Sequence, residues 1–199
     1  MFGFLRVGQA PAQEFGAFLT ARLNARVQPM DRNEYFEDPL DAVLKDKGLG
    51  EVTGGGTQMA GDPDGIEFVD LEIGVNAADD DTIGAVIAAL EDAGAPIGSK
   101  IIVEGTDTEI PFGKLEGMGL YLNGTDLPDE VYANSDVNDV IARLEELLDG
   151  KGAFRGYWEG SRETALYFYG GSFESMRAAV QGYLDTEPAT ERTRVEKIA

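Results

Sequence analysis

Ala153–Gly170 reads AFRGYWEG-SRE-TALYFYG, two aromatic-rich runs separated only by Ser161, Arg162 and Glu163. Runs of this composition with so short a polar break predict a β-hairpin. Before it, Val137, Val140, Ile141, Leu144, Leu147 and Leu148 recur at helical spacing within 136–149. After it, 173–184 carries a second helical pattern, and 194–198 alternates as a closing strand. With 118–123 read as a strand ahead of the first helix, the order is β-α-β-β-α-β, that of a ferredoxin-like unit.

The same order is visible earlier. Segments 49–59 and 66–75 flank Gly-Asp-Pro-Asp-Gly (Gly61–Gly65), whose turn chemistry predicts another hairpin. A helix over 37–47, with Leu40, Val43 and Leu44 inward, stops at Gly48. Asp79, Asp80 and Asp81 open a helix carrying Ile83, Val86, Ile87 and Leu90; capping of the helix dipole accounts for them better than a metal cage does. Residues 100–104 read as a strand. Phe15, Phe18, Leu19 and Leu23 share one helical face, predicting a helix over 12–24, with a short strand over 2–7 before it. Residues 25–30 read as extended, and 124–134 as a polar loop. The expected fold class is therefore α+β: two tandem ferredoxin-like (βαββαβ) modules, each with an antiparallel sheet and its helices on one face. Their bounds are 1–105, a connector over 106–116 that contains Pro111 and Gly113, and 117–199.

The chain of 199 residues has 37 acidic and 16 basic residues, a formal charge of −21 and a pI near 4.1. Such a field repels phosphate, so neither nucleic acid nor an anionic membrane is an expected partner; it either favours encounter with a basic protein or merely keeps the chain soluble, the commoner role of such charge. Cysteine and histidine are absent, which excludes disulfides, thiolate chemistry, Cys/His zinc sites and histidine acid–base catalysis. No catalytic residue, metal site or cofactor is expected. With neither a secretory pattern nor a membrane-length apolar run, the expectation is a soluble cytoplasmic protein.

Strand alternation assigns candidate binding residues. Val69, Leu71, Ile73 and Val75 should face helices, leaving Asp70 and Glu72 on the other face, joined by Glu51. In the second half Leu166 and Phe168 point inward, so Tyr167 and Tyr169 fall on the opposite face, with Tyr121 beside them. This places a carboxylate row on one sheet and a tyrosine row on the other. The tyrosines either line a groove or seal a contact between the sheets; both remain open. Trp158, four residues after Phe154, is expected to share its buried face, with Tyr157 outward. Tyr35 and Phe36, inside DRNEYFEDPLD (31–41), form either an aromatic staple or a docking pair ringed by acids. Gly54-Gly55-Gly56 lacks the Lys-Ser/Thr of a phosphate loop and reads as a bulge.

The runs EYFEDPLD (34–41), GLGEVTGGGTQ (48–58), GAPIGSK (94–100), IPFGKLEG (110–117), NGTDLPDEVY (123–132) and ETALYFYG (163–170) together resemble a group of small, acidic, uncharacterised bacterial proteins. That group is similar in general character to immunity proteins of bacterial toxin systems, and the resemblance implies no site residues. The expected function is a non-enzymatic acidic protein-binding module, an immunity-type inhibitor of a basic toxin or other basic partner. The alternative is a small-molecule binder or a carboxylate/tyrosine enzyme with a cleft between the modules.

Overall fold

Two antiparallel sheets, each backed by helices on one face, organise the chain in a computed structural model that describes residues 14–62 and 65–199. The first runs from edge to edge as β2 (Gly50–Gly61), β3 (Gly65–Val75), β1 (Ala17–Leu23), β4 (Ser99–Val103) and β5 (Glu109–Phe112), and the second as β7 (Gly152–Glu159), β8 (Glu163–Gly170), β6 (Glu116–Asn123) and β9 (Arg194–Lys197).

β1 (Ala17–Leu23) lies between β3 and β4, where a helix over 12–24 was expected. Leu19 and Leu23 are four residues apart, a spacing that satisfies a helix and a strand alike. The deciding pattern is Leu19, Ala21 and Leu23, all buried, alternating with Phe18, Thr20 and Arg22. Bonding on both sides then fixes the strand. The strand expected over 2–7 falls outside the described residues.

α1 (Pro29–Arg32), a π-helical turn (Asn33–Glu37) and α2 (Asp38–Lys47) follow without a break, so the helix begins well before Glu37. Gly48 ends it in the left-handed region at φ 64°. β2 (Gly50–Gly61) and β3 (Gly65–Val75) form the first hairpin, with a register shift between Val52 and Gly54. α3 (Asp80–Asp92) is capped by Asp79, whose Oδ1 accepts from the Thr82 N–H at 2.8 Å. β4 (Ser99–Val103) pairs with β5 (Glu109–Phe112), a strand inside the stretch expected to be only a connector. Pro111 is tolerated there because β5 is an edge. Leu40, Leu44, Val86 and Leu90 from the helices close over Leu19, Leu71, Ile73 and Ile101 of the sheet.

In the second half β6 (Glu116–Asn123) leads to α4 (Asp129–Asn134), a short helix where a polar loop was expected, and to α5 (Val137–Leu147). The hairpin of β7 (Gly152–Glu159) and β8 (Glu163–Gly170) comes next, then α6 (Phe173–Leu184) and β9 (Arg194–Lys197). Met118, Leu120, Leu166 and Phe168 meet Leu144, Leu148, Met176 and Val180. Among the described residues no helix is long and apolar enough to cross a membrane.

Because Leu19 is buried on the central strand, Leu19→Ala should destabilise the protein by about 2–5 kcal/mol. A urea titration followed by circular dichroism measures this, and an unchanged midpoint would contradict the assignment of β1 to the core.

Candidate functional site

The tyrosines are not available to a ligand. Tyr121 and Tyr167 are wholly buried and Tyr169 nearly so, so the row seals an internal contact instead of lining a groove. The cover is the chain that leaves β1. The backbone N–H of Arg26 donates to Tyr169 Oη at 2.7 Å, and its Nη1 donates to Tyr121 Oη at 2.7 Å. The same guanidinium lies 5.6 Å from the centre of the Tyr167 ring, and that of Arg194 stacks 3.7 Å from Tyr121. Asn24 Nδ2 donates to the carbonyls of Ile97 at 3.0 Å and Ile198 at 3.4 Å, and Gln28 Nε2 donates to the Tyr157 carbonyl at 2.7 Å. Burial pushes the Tyr169 phenol well above its ordinary range.

A register shift between Phe154 and Gly156 corrects the face expected for Trp158. Residues four apart share a face only in an unbulged strand. Phe154 pairs with Phe168 and packs among the helices, whereas Trp158 pairs with Ala165 and joins the tyrosines. The indole is half-buried against Gly65, its Nε1 enclosed with no acceptor among the described residues. Tyr157, 48% exposed, points outward as expected, but on the helix side, where it lines a groove of about 330 Å³ with Val137, Ile141 and Glu159. The docking pair expected at Tyr35 and Phe36 is not presented either. The helical path through 29–47 buries Phe36 in the first core and leaves Tyr35 half-covered, with the Arg155 guanidinium 4.6 Å from its ring centre.

Carboxylates, exposed or half-buried, gather on the face of the first sheet that no helix covers among the described residues. β1 contributes Phe18, Thr20 and Arg22, and β3 contributes Phe68, Asp70 and Glu72. Glu51 of β2 sits opposite Gly74, and Glu104 follows β4. Arg22 grips Asp70 through two bonds of 2.9 and 2.8 Å and lies 3.9 Å over the Phe68 ring. Lys100 is held by Glu109 at 2.9 Å. Among the described residues both bases on this face are thus neutralised. Glu51, Glu72 and Glu104 have no ion-pair partner among the described residues, and Thr20 Oγ1 donates to Glu104 Oε1 at 3.3 Å. Phe18 remains 44% exposed and meets Phe15 edge-on at 5.7 Å, while the Phe15 ring fills the space a side chain at Gly74 would need.

Of the expected site residues, Glu51, Asp70 and Glu72 therefore come together, and the tyrosines do not join them. The cleft lined by both sets, which the enzyme alternative requires, is not assembled: one set is sealed, and Asp70 is locked by Arg22. Among the described residues no group of three or more acids forms a metal cage. Phe18 and Arg26 were missed by sequence reasoning. The alternation of Phe18, Thr20 and Arg22 carried the signal for the first, and nothing local signalled the second.

No model of a protein family matches the chain, and no characterised protein matches it in sequence. Among solved structures, an unknown protein from Galdieria sulphuraria is 12% identical, with a TM-score of 0.30, over 92% of this chain and 98% of that one. The first two RRM domains of yeast poly(U)-binding protein (Pub1) are 8% identical, with a TM-score of 0.26, over 91% and 99%. Likenesses this distant bear on no site.

Two outcomes follow from the sealed face. A phenol whose folded pKa is raised stabilises the fold fully below its unfolded value, about 10, and that contribution is lost as pH rises above it. The denaturation midpoint should therefore fall from about pH 10 upward, and Tyr169→Phe should make the decline shallower; an unchanged slope would show an ionisable, accessible phenol. Trp158→Ala should destabilise by about 3–5 kcal/mol, whereas Tyr157→Ala should stay within about 0.5 kcal/mol. Equal losses in urea titrations would contradict this division.

Proposed function

We propose that the chain is a non-enzymatic, acidic protein-binding module of the cytoplasm whose first sheet docks a basic partner. In its sharpest form it is an immunity-type inhibitor of a basic toxin domain. We read its two halves as tandem ferredoxin-like units. Each runs β-α-β-β-α-β with strand order second, third, first, fourth, and β5 is added at one edge.

The observation that carries the functional reading is the first sheet's face opposite its helices, where exposed Phe18 stands among Glu51, Glu72 and Glu104 while the nearby bases among the described residues are neutralised. A formal charge of −21 steers basic surfaces toward the protein, an attraction screened within about 10 Å at 0.1 M salt. Lysine or arginine arriving there finds carboxylates to pair with and the Phe18 ring face to lie on.

The test immobilises the whole chain and measures binding of a panel of basic toxin nuclease domains at several salt concentrations. At least one should bind, with affinity falling as salt rises. The double variant Glu72→Lys/Glu104→Lys should weaken it by about tenfold, while Asp80→Lys/Asp81→Lys, at the start of α3 behind the sheet, should leave it unchanged. Salt-independent binding, or equal loss from both double variants, would contradict the reading.

A further inference from the structure

Among the described residues β2 is an outer strand, bonded to β3 on one side only. Its run TGGGTQMA (53–60) contains neither charge nor proline. Edge strands are usually blunted by lysine, proline or a covering element, because their free backbone groups invite another strand. Here Asp41 Oδ1 takes the Val52 N–H at 3.1 Å. Beyond it, among the described residues, no acceptor outside the sheet meets a backbone N–H of residues 53–60.

The three glycines differ in what they do for the chain itself. A Cβ on Gly55 would lie 2.6 Å from the Asp70 carbonyl oxygen and 3.0 Å from Glu37 Oε1, so internal packing accounts for its absence. A Cβ on Gly56 would meet nothing within 4 Å, and its φ lies outside the left-handed range. A strand glycine that its own chain does not require marks a place where another backbone or ligand comes close.

Carboxylates flank this edge on both faces. On the helix-free face Glu72 leans across Gly54, its Oε2 3.0 Å from where a Cβ would be. On the helix side a groove of about 250 Å³ is lined by Glu37, Asp38, Asp41, Val52, Thr53 and Gly54. Arg32 neutralises Glu37 and Lys45 neutralises Asp41, but Asp38 and Glu72 have no ion pair among the described residues.

We propose that β2 is a docking edge to which an extended, arginine- or lysine-bearing segment of a partner protein adds as a further strand. Backbone bonds to residues 53–58 supply the attachment, and the carboxylates select basic side chains. Adjacent strands lie about 4.8 Å apart, so an added strand stands about 10 Å from β3. An arginine and a glutamate span that distance only if the strand between them carries no side chain, and Gly54 and Gly56 meet this condition on the face of Glu72 and Asp70. A second copy of this chain is a poor occupant, since two bodies of charge −21 repel. The inference rests on the protein-binding reading of the first sheet and supplies its mode.

The probe is a decapeptide alternating arginine and threonine, compared with the same peptide N-methylated along its backbone. Calorimetry gives affinity, and amide hydrogen exchange read by NMR gives position. The plain peptide should slow exchange within residues 53–58, and N-methylation should weaken binding by about tenfold. Gly56→Pro should abolish the protection, and Glu72→Lys should lower the affinity. If the proline variant fails to fold, the two peptides on the wild-type protein still decide. Equal, salt-sensitive binding of both peptides without protection of 53–58 would overturn strand addition while leaving acidic docking intact. Failure of both peptides to bind would overturn strand addition as well, and the basic-domain panel would then decide the broader reading separately.

Discussion

The arrangement depends on one contact, the closing of the second sheet's tyrosine face by the chain that leaves β1. A sheet with helices on one side can leave its other side to water where that side is polar, but an aromatic side needs a cover. Here residues 24–28 do so, and Arg26 meets the hydroxyls of Tyr169 and Tyr121 with its backbone and its side chain. Pairing these hydroxyls is what makes their burial tolerable, since an unbonded buried hydroxyl loses its hydration without return. Trp158 extends the seal onto Gly65, at the start of β3. Aromatic surface that looked available for binding is thereby used to hold the two halves of the chain together.

This division of labour leaves the other face of the first sheet without a cover among the described residues. Its helix-free face does not need a second layer, because alternation in β1 and β3 has already turned the aliphatic side chains toward α2 and α3. What remains outward is acidic and aromatic, with the bases locked in pairs. That charge and texture are what the proposed docking of a basic partner relies on. The glycine run of β2 thins the barrier between that face and the sheet edge, so in the proposed reading one set of carboxylates serves both.

Much of this was legible in the sequence. The 153–170 hairpin, the helices on either side of it, and the inward row Val69, Leu71, Ile73 and Val75 are long, regular patterns that tertiary packing had no reason to override. β1 was misread because Leu19 and Leu23 fit two periods at once, and Ala21, the residue that breaks the tie, is small enough to pass unnoticed. β5 was hidden by its length of four residues and by Pro111. A single extra residue in β7, Arg155, reversed the face of Trp158 relative to Phe154, and bulges leave little trace in composition. The carboxylate half of the site was readable from alternation. The fate of the tyrosines was not, because it is set by Arg26, more than ninety residues away from Tyr121 in the chain.

Hydroxyl-radical footprinting of the native protein, read residue by residue by mass spectrometry, tests the division between sealed and open surfaces most directly. Phe18 and Tyr157 should be oxidised readily, and Tyr121, Tyr167 and Tyr169 should be protected until the protein unfolds. Oxidation of those three tyrosines at the rate of Tyr157 in the folded protein would show an open second sheet and contradict the account.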